Sequence, residues 1–275
     1  MSNTTVAADR DLFGYDPSVA AAAVAMLAFL FTGVAHSVQM YFYRPCWYMI
    51  LMAIGAFWEL IGFGMRINAA SHVTSSTWFA AQQSILILAP VIVAAGDYMI
   101  LTRIIRHIGV EFSPVNPKYV APIFVGMDIL SFVIQGGGSA ALVTAKDQST
   151  LNFGLYSLLA GLAVQVFSIA CFLLLAVIFQ RRARVVPGYK WRRLMAALYV
   201  SAAFILIRSI YRVAEFAQGF LSPISKIEGL LYTFDTAAIF VALAVFNIVH
   251  PGNILVAPKE GDHVYSMSNR MRVNP

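Results

Sequence analysis

Seven apolar runs, at residues 18–42, 46–65, 78–105, 119–138, 153–179, 194–214 and 229–249, constrain this chain more than any other feature. Each is long enough to cross a bilayer, which takes about 20 residues of α-helix. Lipid offers no hydrogen-bond partners, so a crossing segment must satisfy its own backbone, and these runs are too long for the short alternating strands of a membrane barrel. They predict an all-α fold: a polytopic membrane protein of seven transmembrane helices. Composition agrees, with 60% hydrophobic and only 12% charged residues in a chain of 275, where a soluble domain carries about a quarter charged. Breakers mark several ends: Arg44-Pro45, Pro114 and Pro117, Pro187-Gly188, and Pro251-Gly252.

Lysine and arginine set the expected orientation. The side of the N-terminus holds Arg10, Arg66, Lys146 and Lys226. The opposite side holds Arg44, Arg103, Arg106, Lys118, Arg181, Arg182, Arg184, Lys190, Arg192, Arg193, Lys259, Arg270 and Arg272. The richer side is expected in the cytoplasm. The reading is an extracellular segment 1–17, a seven-helix domain 18–250, and a cytoplasmic, disordered tail 251–275. The formal charge of +6 is explained by these loops, so no nucleic acid is expected as partner. Residues 1–17 lack a basic n-region and apolar core, which leaves the first span to act as an uncleaved signal. Asn3-Thr4-Thr5 forms a glycosylation sequon on the outer side. Cys46 and Cys171 read as small core residues rather than a disulfide.

Ionisable residues inside a span cost about 2.5–3.5 kcal/mol each on insertion scales, so they face the bundle interior and find partners. Glu59, Gly62 and Arg66 share one face of the second span; Asp128, Ser131 and Gln135 share one face of the fourth, running into Gly136-Gly137-Gly138. Gly154, Ser157, Gly161, Gln165 and Ser168 line the fifth, where the glycines serve close helix approach. Arg208, Tyr211, Arg212 and Glu215 form a charged stripe on the sixth, and Glu228 and Asp235 lie two turns apart on the seventh. At about 1.5 Å per residue, Glu59, Asp128, Gln165 and Arg208 fall near mid-depth. Arg66, Gln82, Gln83, Gln135, Arg212, Glu215, Glu228 and Asp235 fall nearer the exterior. These positions predict a polar cavity of mixed charge in the outer half; the inner half is apolar apart from His36, Gln39 and Asp97. No metal site is expected from five scattered histidines, no cofactor is implied, and no phosphate-binding glycine loop occurs.

The order of these residues resembles a known family. Glu59 with Ile61-Gly62-Phe63 and Arg66, then Gln83, Leu88-Ala89-Pro90, Ala94-Ala95 and Tyr98, then Phe124, Asp128, Gln135 and the glycine triplet carry one half of the likeness. Gly154, Gly161-Leu162, Gln165, the run Ile207-Arg208-Ser209-Ile210-Tyr211-Arg212-Val213-Ala214-Glu215, then Glu228, Tyr232, Asp235 and Pro251-Gly252 carry the other. Together they look like the fungal lipid-translocating exporters, the aminocholesterol-resistance family. The resemblance implies efflux or flipping of sphingoid long-chain bases and tolerance of sterol-like toxins. In some relatives it implies porphyrin uptake. Asp97 departs from the pattern, standing where a small or apolar residue is expected, and the loop 139–152 is short.

The leading reading is therefore a lipid exporter, no enzyme, most at home in the plasma membrane, with membrane lipids and an amphipathic lipid or toxin as partners and no oligomeric state implied. A long-chain amine would place its head among Glu59, Asp128, Glu215 and Asp235, with Arg66, Gln83, Gln135, Gln165, Arg208, Arg212 and Glu228 completing the site. Arg208 and Arg212 would balance the empty site and give way as the head enters. A seven-helix receptor or sensor is the alternative suggested by topology. A membrane-embedded enzyme such as a terpene cyclase, using Glu59 and Asp235 as acids, is a third. Its carboxylates, however, have arginine neighbours.

Overall fold

The chain was analysed as a computed structural model, which describes residues 13, 15–43, 46–72, 75–145, 147–218 and 226–255. The sequon at Asn3, Arg10, the Arg44-Pro45 break, Lys146 and the tail beyond residue 255 lie outside them. Among the described residues all regular structure is helical: α1 (Val19–Phe42), α2 (Ile50–Ala70, entered by a 3-10 turn Trp47–Met49), α3 (Ser76–Ile108), α4 (Pro117–Thr144), α5 (Gln148–Arg182) and α6 (Tyr189–Ala217). The seventh span, called α7 here, is composite: one α-turn at Glu228–Leu230, a π-helical stretch Leu231–Thr236, then α-helix Ala237–Ile248. A single turn, α8 (Gly252–Leu255), follows. Seven of these helical segments are long and apolar enough to cross a membrane.

Local chemistry fixes the ends. Ser18 caps α1 by accepting from the Ala21 amide, Asp147 caps α5 by accepting from Thr150, and Asn116 caps α4 ahead of Pro117, whose missing N–H is no loss in a first turn. Asp147 is fully exposed, and its bonds to Thr150 hold its carboxyl below the usual range. Gly109 ends α3 and Gly188 opens α6, both at positive φ (152° and 139°), a conformation that a side chain resists.

Sequential helices pack side by side, and α1 closes against α7. The centre belongs to α3, the most buried span, which touches α2, α4, α5, α6 and α7. Aromatic packing fills its surroundings: the Tyr98 ring lies 4.7 Å from Phe172 and 5.3 Å from Phe124, centroid to centroid. Polar residues of α1 and α7 tie those two helices together. The His36 ring nitrogen Nε2 meets the Leu243 carbonyl at 3.2 Å, the Gln39 amide donates to Asn247 O at 2.8 Å, and Asn247 donates to the Thr32 hydroxyl. Cys46 and Cys171 are both free thiols.

The glycine triplet does not end the fourth span, which runs on to Thr144. The reason lies in α5. A Cβ on Gly138 would sit 2.6 Å from the Leu158 nitrogen, one on Gly154 2.8 Å from Leu142 N, and one on Gly161 2.7 Å from Gln135 Cγ. The two backbones are thus in contact, and dispersion together with the internal hydrogen bonds that lipid demands outweighs the poor helix propensity of glycine. Gly136 and Gly137 meet nothing within 4 Å. Alanine at Gly138, Gly154 or Gly161 should therefore destabilise the protein by about 1–3 kcal/mol, read as a lowered melting temperature in detergent. Alanine at Gly136 or Gly137 should leave it unchanged or raise it, and equal losses at all five would contradict this packing.

Candidate functional site

Ser201, Ile205, Arg208, Arg212 and Glu215 recur at helical spacing along α6 and are all buried. Two guanidinium groups enclosed in a bilayer must have their charge and donors answered by protein. For Arg208, part of the answer comes from a proline. Pro90 lies inside α3 and has no N–H to give to the carbonyl four residues back, which is that of Leu86. Arg208 Nη2 takes that place, donating to Leu86 O at 3.1 Å.

The rest comes from Asp235, which sits in the π-helical stretch of α7. Arg212 grips its carboxylate with a two-pronged contact, Nε to Oδ1 at 3.1 Å and Nη2 to Oδ2 at 2.6 Å. Such fork-to-fork pairing is the strongest geometry available to arginine. Arg208 Nε lies 2.6 Å from the same Oδ1, a contact of charges whose angle falls outside hydrogen-bond geometry. The third nitrogen of Arg212, Nη1, donates to Glu215 Oε2 at 3.1 Å. A π-turn inserts one residue into the helical register and swings the following side chains around the axis; here Asp235 reaches both arginines.

Glu59, buried on α2, lies in the electrostatic field of Asp235, Arg208 and Arg212. Among the described residues it has no ion pair of its own. The cluster therefore sets three carboxylates, Glu59, Glu215 and Asp235, against two arginines, with Glu59 the acid left over.

A second group closes the end of the bundle nearest Ser18 and Glu228. Arg66 Nη2 donates to Glu228 Oε1 at 2.9 Å and to the Tyr15 hydroxyl at 2.6 Å, and its Nε donates to the Tyr232 hydroxyl at 3.3 Å. The rings of Phe13, Tyr15 and Tyr232 surround its guanidinium at 5.6–5.9 Å, within cation–π range. Glu228 in turn accepts from the Ser18 amide, at 3.1 Å to each oxygen. The segment before α1 is thereby fastened to α2 and α7. Burial pushes the Tyr15 hydroxyl above its ordinary range, with Arg66 opposing the shift.

The remaining expected site residues stand apart. Asp128 accepts from the Tyr98 hydroxyl at 2.8 Å, and the groups that act on it are Tyr98 and Ser168, not the arginines. The expectation that one chamber holds Glu59, Asp128, Glu215 and Asp235 together thus needs correcting for Asp128, which the contacts of α3 and α4 draw into a separate pair with Tyr98. Gln135 donates to Ser131 Oγ at 2.7 Å and to Gln165 Oε1 at 3.2 Å, while Ser131 donates to Gly161 O at 2.7 Å. These three form a polar clamp over the glycine contact of α4 and α5. Gln83 is half-buried and outside these bonds, whereas its neighbour Gln82 is buried with both amide atoms unpartnered. Sequence reasoning missed Tyr15 and the Leu86 carbonyl. Pro90 signalled the second, because a proline within a helix always frees the carbonyl four residues earlier. Among the described residues no three His, Cys, Asp or Glu side chains converge as a metal site.

Comparison with known proteins places this network in context. A family model described as "RTA1 like protein" matches residues 52–257. The chain is 32% identical over 264 residues to "Probable lipid transporter atnI" of Emericella nidulans, an alignment covering 89% of this chain and 68% of the relative. It is 30% identical to "Protein RTA1" of Saccharomyces cerevisiae, covering 72% and 63%. To the yeast "Sphingoid long-chain base transporter RSB1" it is 26% identical, covering 79% and 67%. The chain thus spans about two thirds of the length of these relatives. No solved structure matches it.

Unequal roles for the carboxylates give a test of stability. Asp235→Asn breaks the grip on both arginines and leaves buried charge uncompensated, at a cost of about 3–5 kcal/mol. Glu59→Gln replaces a buried acid that has no ion pair among the described residues and should leave the melting temperature in detergent unchanged or higher. Equal destabilisation by the two would contradict the pairing described.

Proposed function

The chain belongs to the RTA1-like protein family, and we propose that it exports amphipathic lipids, with a sphingoid long-chain base or a cationic molecule of similar form as its substrate. The observation that carries this reading is an acid without an ion pair: among the described residues Asp235 and Glu215 pair with Arg208 and Arg212, and Glu59 pairs with neither. A long-chain base carries an ammonium head on an alkyl tail. Its head supplies the missing positive charge at Glu59, while the tail stays in the lipid that surrounds the bundle. Names of relatives support the same class of cargo, one being a lipid transporter and another a sphingoid long-chain base transporter.

The site residues divide their work. Glu59 receives the ammonium, and Asp235 and Glu215 are held in place by Arg212 and Arg208. As the head enters, it competes with the arginines for the carboxylates and loosens the tie between α6 and α7. Arg66 and Glu228 close the route towards the N-terminal face, so their separation is the step that releases the cargo. Asp128, held by the Tyr98 hydroxyl, and the amides of Gln135, Gln165 and Gln83 line the approach between α3, α4 and α5 without pairing with the arginines.

Positive charge in the loops supports an N-terminus outside and a C-terminus in the cytoplasm, which turns the Arg66 closure to the exterior, as export requires. The working unit is the domain 18–250, placed in the plasma membrane, and its work is movement of the substrate, not conversion. In cells expressing the chain, Glu59→Gln should lower efflux of a labelled sphingoid long-chain base about tenfold or more at equal protein abundance, the equivalent of losing about 1.4 kcal/mol of interaction. The N-acylated form, which lacks the charge, should not be exported even by the unaltered protein. Undiminished efflux by the variant would refute the role of Glu59.

A further inference from the structure

At the opposite end of the bundle from this network, the α5–α6 hairpin borders a cavity of about 590 Å³. Arg181, Arg184 and Arg192 border it, together with Trp191, Tyr199 and Val177. Positive-inside bias accounts for arginines in such a loop. It does not account for a cavity whose neutral donors also lack partners. Trp191 is only 4% exposed, yet its indole N–H is unpartnered, and so is the Tyr199 hydroxyl. Among the described residues, no carboxylate pairs with Arg181, Arg184 or Arg192.

The cavity is built rather than incidental. Arg192 Nη2 donates to the carbonyls of Arg184 at 3.0 Å and Val186 at 3.4 Å, which pins its guanidinium 5.5 Å from the Trp191 ring centroid. Gly188 turns the chain at positive φ, and a Cβ there would meet Trp191 Cδ1 at 2.9 Å, so the turn folds directly onto the indole. The first turn of α6 has no side-chain cap, leaving its amides to a ligand at the same end.

The geometry points to a binding site for the phosphate-bearing headgroup of an anionic membrane lipid. Three uncompensated arginines, an indole N–H and a phenol supply donors for phosphate oxygens. The cavity is also amphipathic. Its charged rim lies at the loop, while Val177, the Trp191 ring and Tyr199 continue into the helices, and Val185 and Tyr189 beside the rim are 78% and 77% exposed. A soluble anion has no use for that apolar floor, whereas a lipid has a glycerol backbone and chains to lay along it. Basic pockets between membrane helices recognise lipid headgroups on this principle. The site is separate from the Arg208–Asp235 network and carries the opposite charge preference, so it selects an annular lipid rather than the cationic cargo.

The test uses purified full-length protein in an uncharged detergent, titrated in parallel with short-chain phosphatidylinositol 4-phosphate, short-chain phosphatidylcholine and inorganic phosphate. The phosphoinositide should bind about tenfold or more tightly than either of the others, and Arg181→Gln with Arg184→Gln should weaken it about tenfold or more. Both side chains are exposed, so the double variant should keep the parent melting temperature. Trp191→Phe, which keeps the ring and removes the N–H, gives an independent arm and should weaken binding about threefold. Equal affinity for phosphatidylcholine, or full affinity in both variants, would overturn the assignment. Inorganic phosphate binding as tightly as the lipid would transfer the site to a soluble anion and overturn it as well.

Discussion

Two arginines on α6, enclosed in a bundle that itself sits in lipid, are the constraint that the packing around them is arranged to meet. Neither can be left with its charge unanswered, and apart from Glu215 on α6 itself the answers come from local irregularities in other helices. Pro90 interrupts α3 and frees the Leu86 carbonyl for Arg208. The π-helical stretch of α7 brings Asp235 to both guanidinium groups. Proline and π-turns each cost helix stability in isolation, and here they convert backbone and carboxylate into ligands for buried charge. The close glycine contact of α4 with α5 belongs to the same design, since it lets Ser131, Gln135 and Gln165 satisfy one another without a charge.

A buried ion pair is a poor source of stability but a good source of specificity and of switching, because desolvation cancels most of its Coulombic gain. Asp235 is held by Arg212 through two hydrogen bonds and lies against Arg208 as well, so any new cation near Glu59 shifts the division of charge among all five groups. Farther out, the Arg66–Glu228 pair joins α2, α7 and the segment ahead of α1 through Tyr15 and the Ser18 amide. One network lies along α6 and another joins α2, α7 and the segment before α1, and α7 contributes a carboxylate to each.

The seven spans could be read from hydropathy alone, because lipid leaves helix as the only option for runs of that length. The pairing on α6 was legible too: Arg208, Arg212 and Glu215 fall on one face, and charges on such a face have to meet partners. What could not be read was which carboxylate goes where. Asp128 and Asp235 are alike in sequence, yet the contacts of α3 and α4 give Asp128 a tyrosine and the π-turn gives Asp235 two arginines. Nothing in the run Leu231–Thr236 announces a π-turn, and the glycine triplet, which looked like a terminus, is a contact surface because α5 presents matching glycines. Tyr15 lay hidden for a simpler reason: it precedes the first span, where no periodicity points to a role.

The central claim is that the unmatched carboxylate Glu59 is where a cationic lipid head resides. It is tested most directly by determining the structure in nanodiscs containing a sphingoid long-chain base. The account predicts the ammonium within about 3 Å of the Glu59 carboxylate, a charge-assisted hydrogen-bond distance, with Asp235 still paired to Arg212 or visibly shifted towards the ligand. A head group bound elsewhere in the bundle, with Glu59 facing the arginines as before, would contradict it.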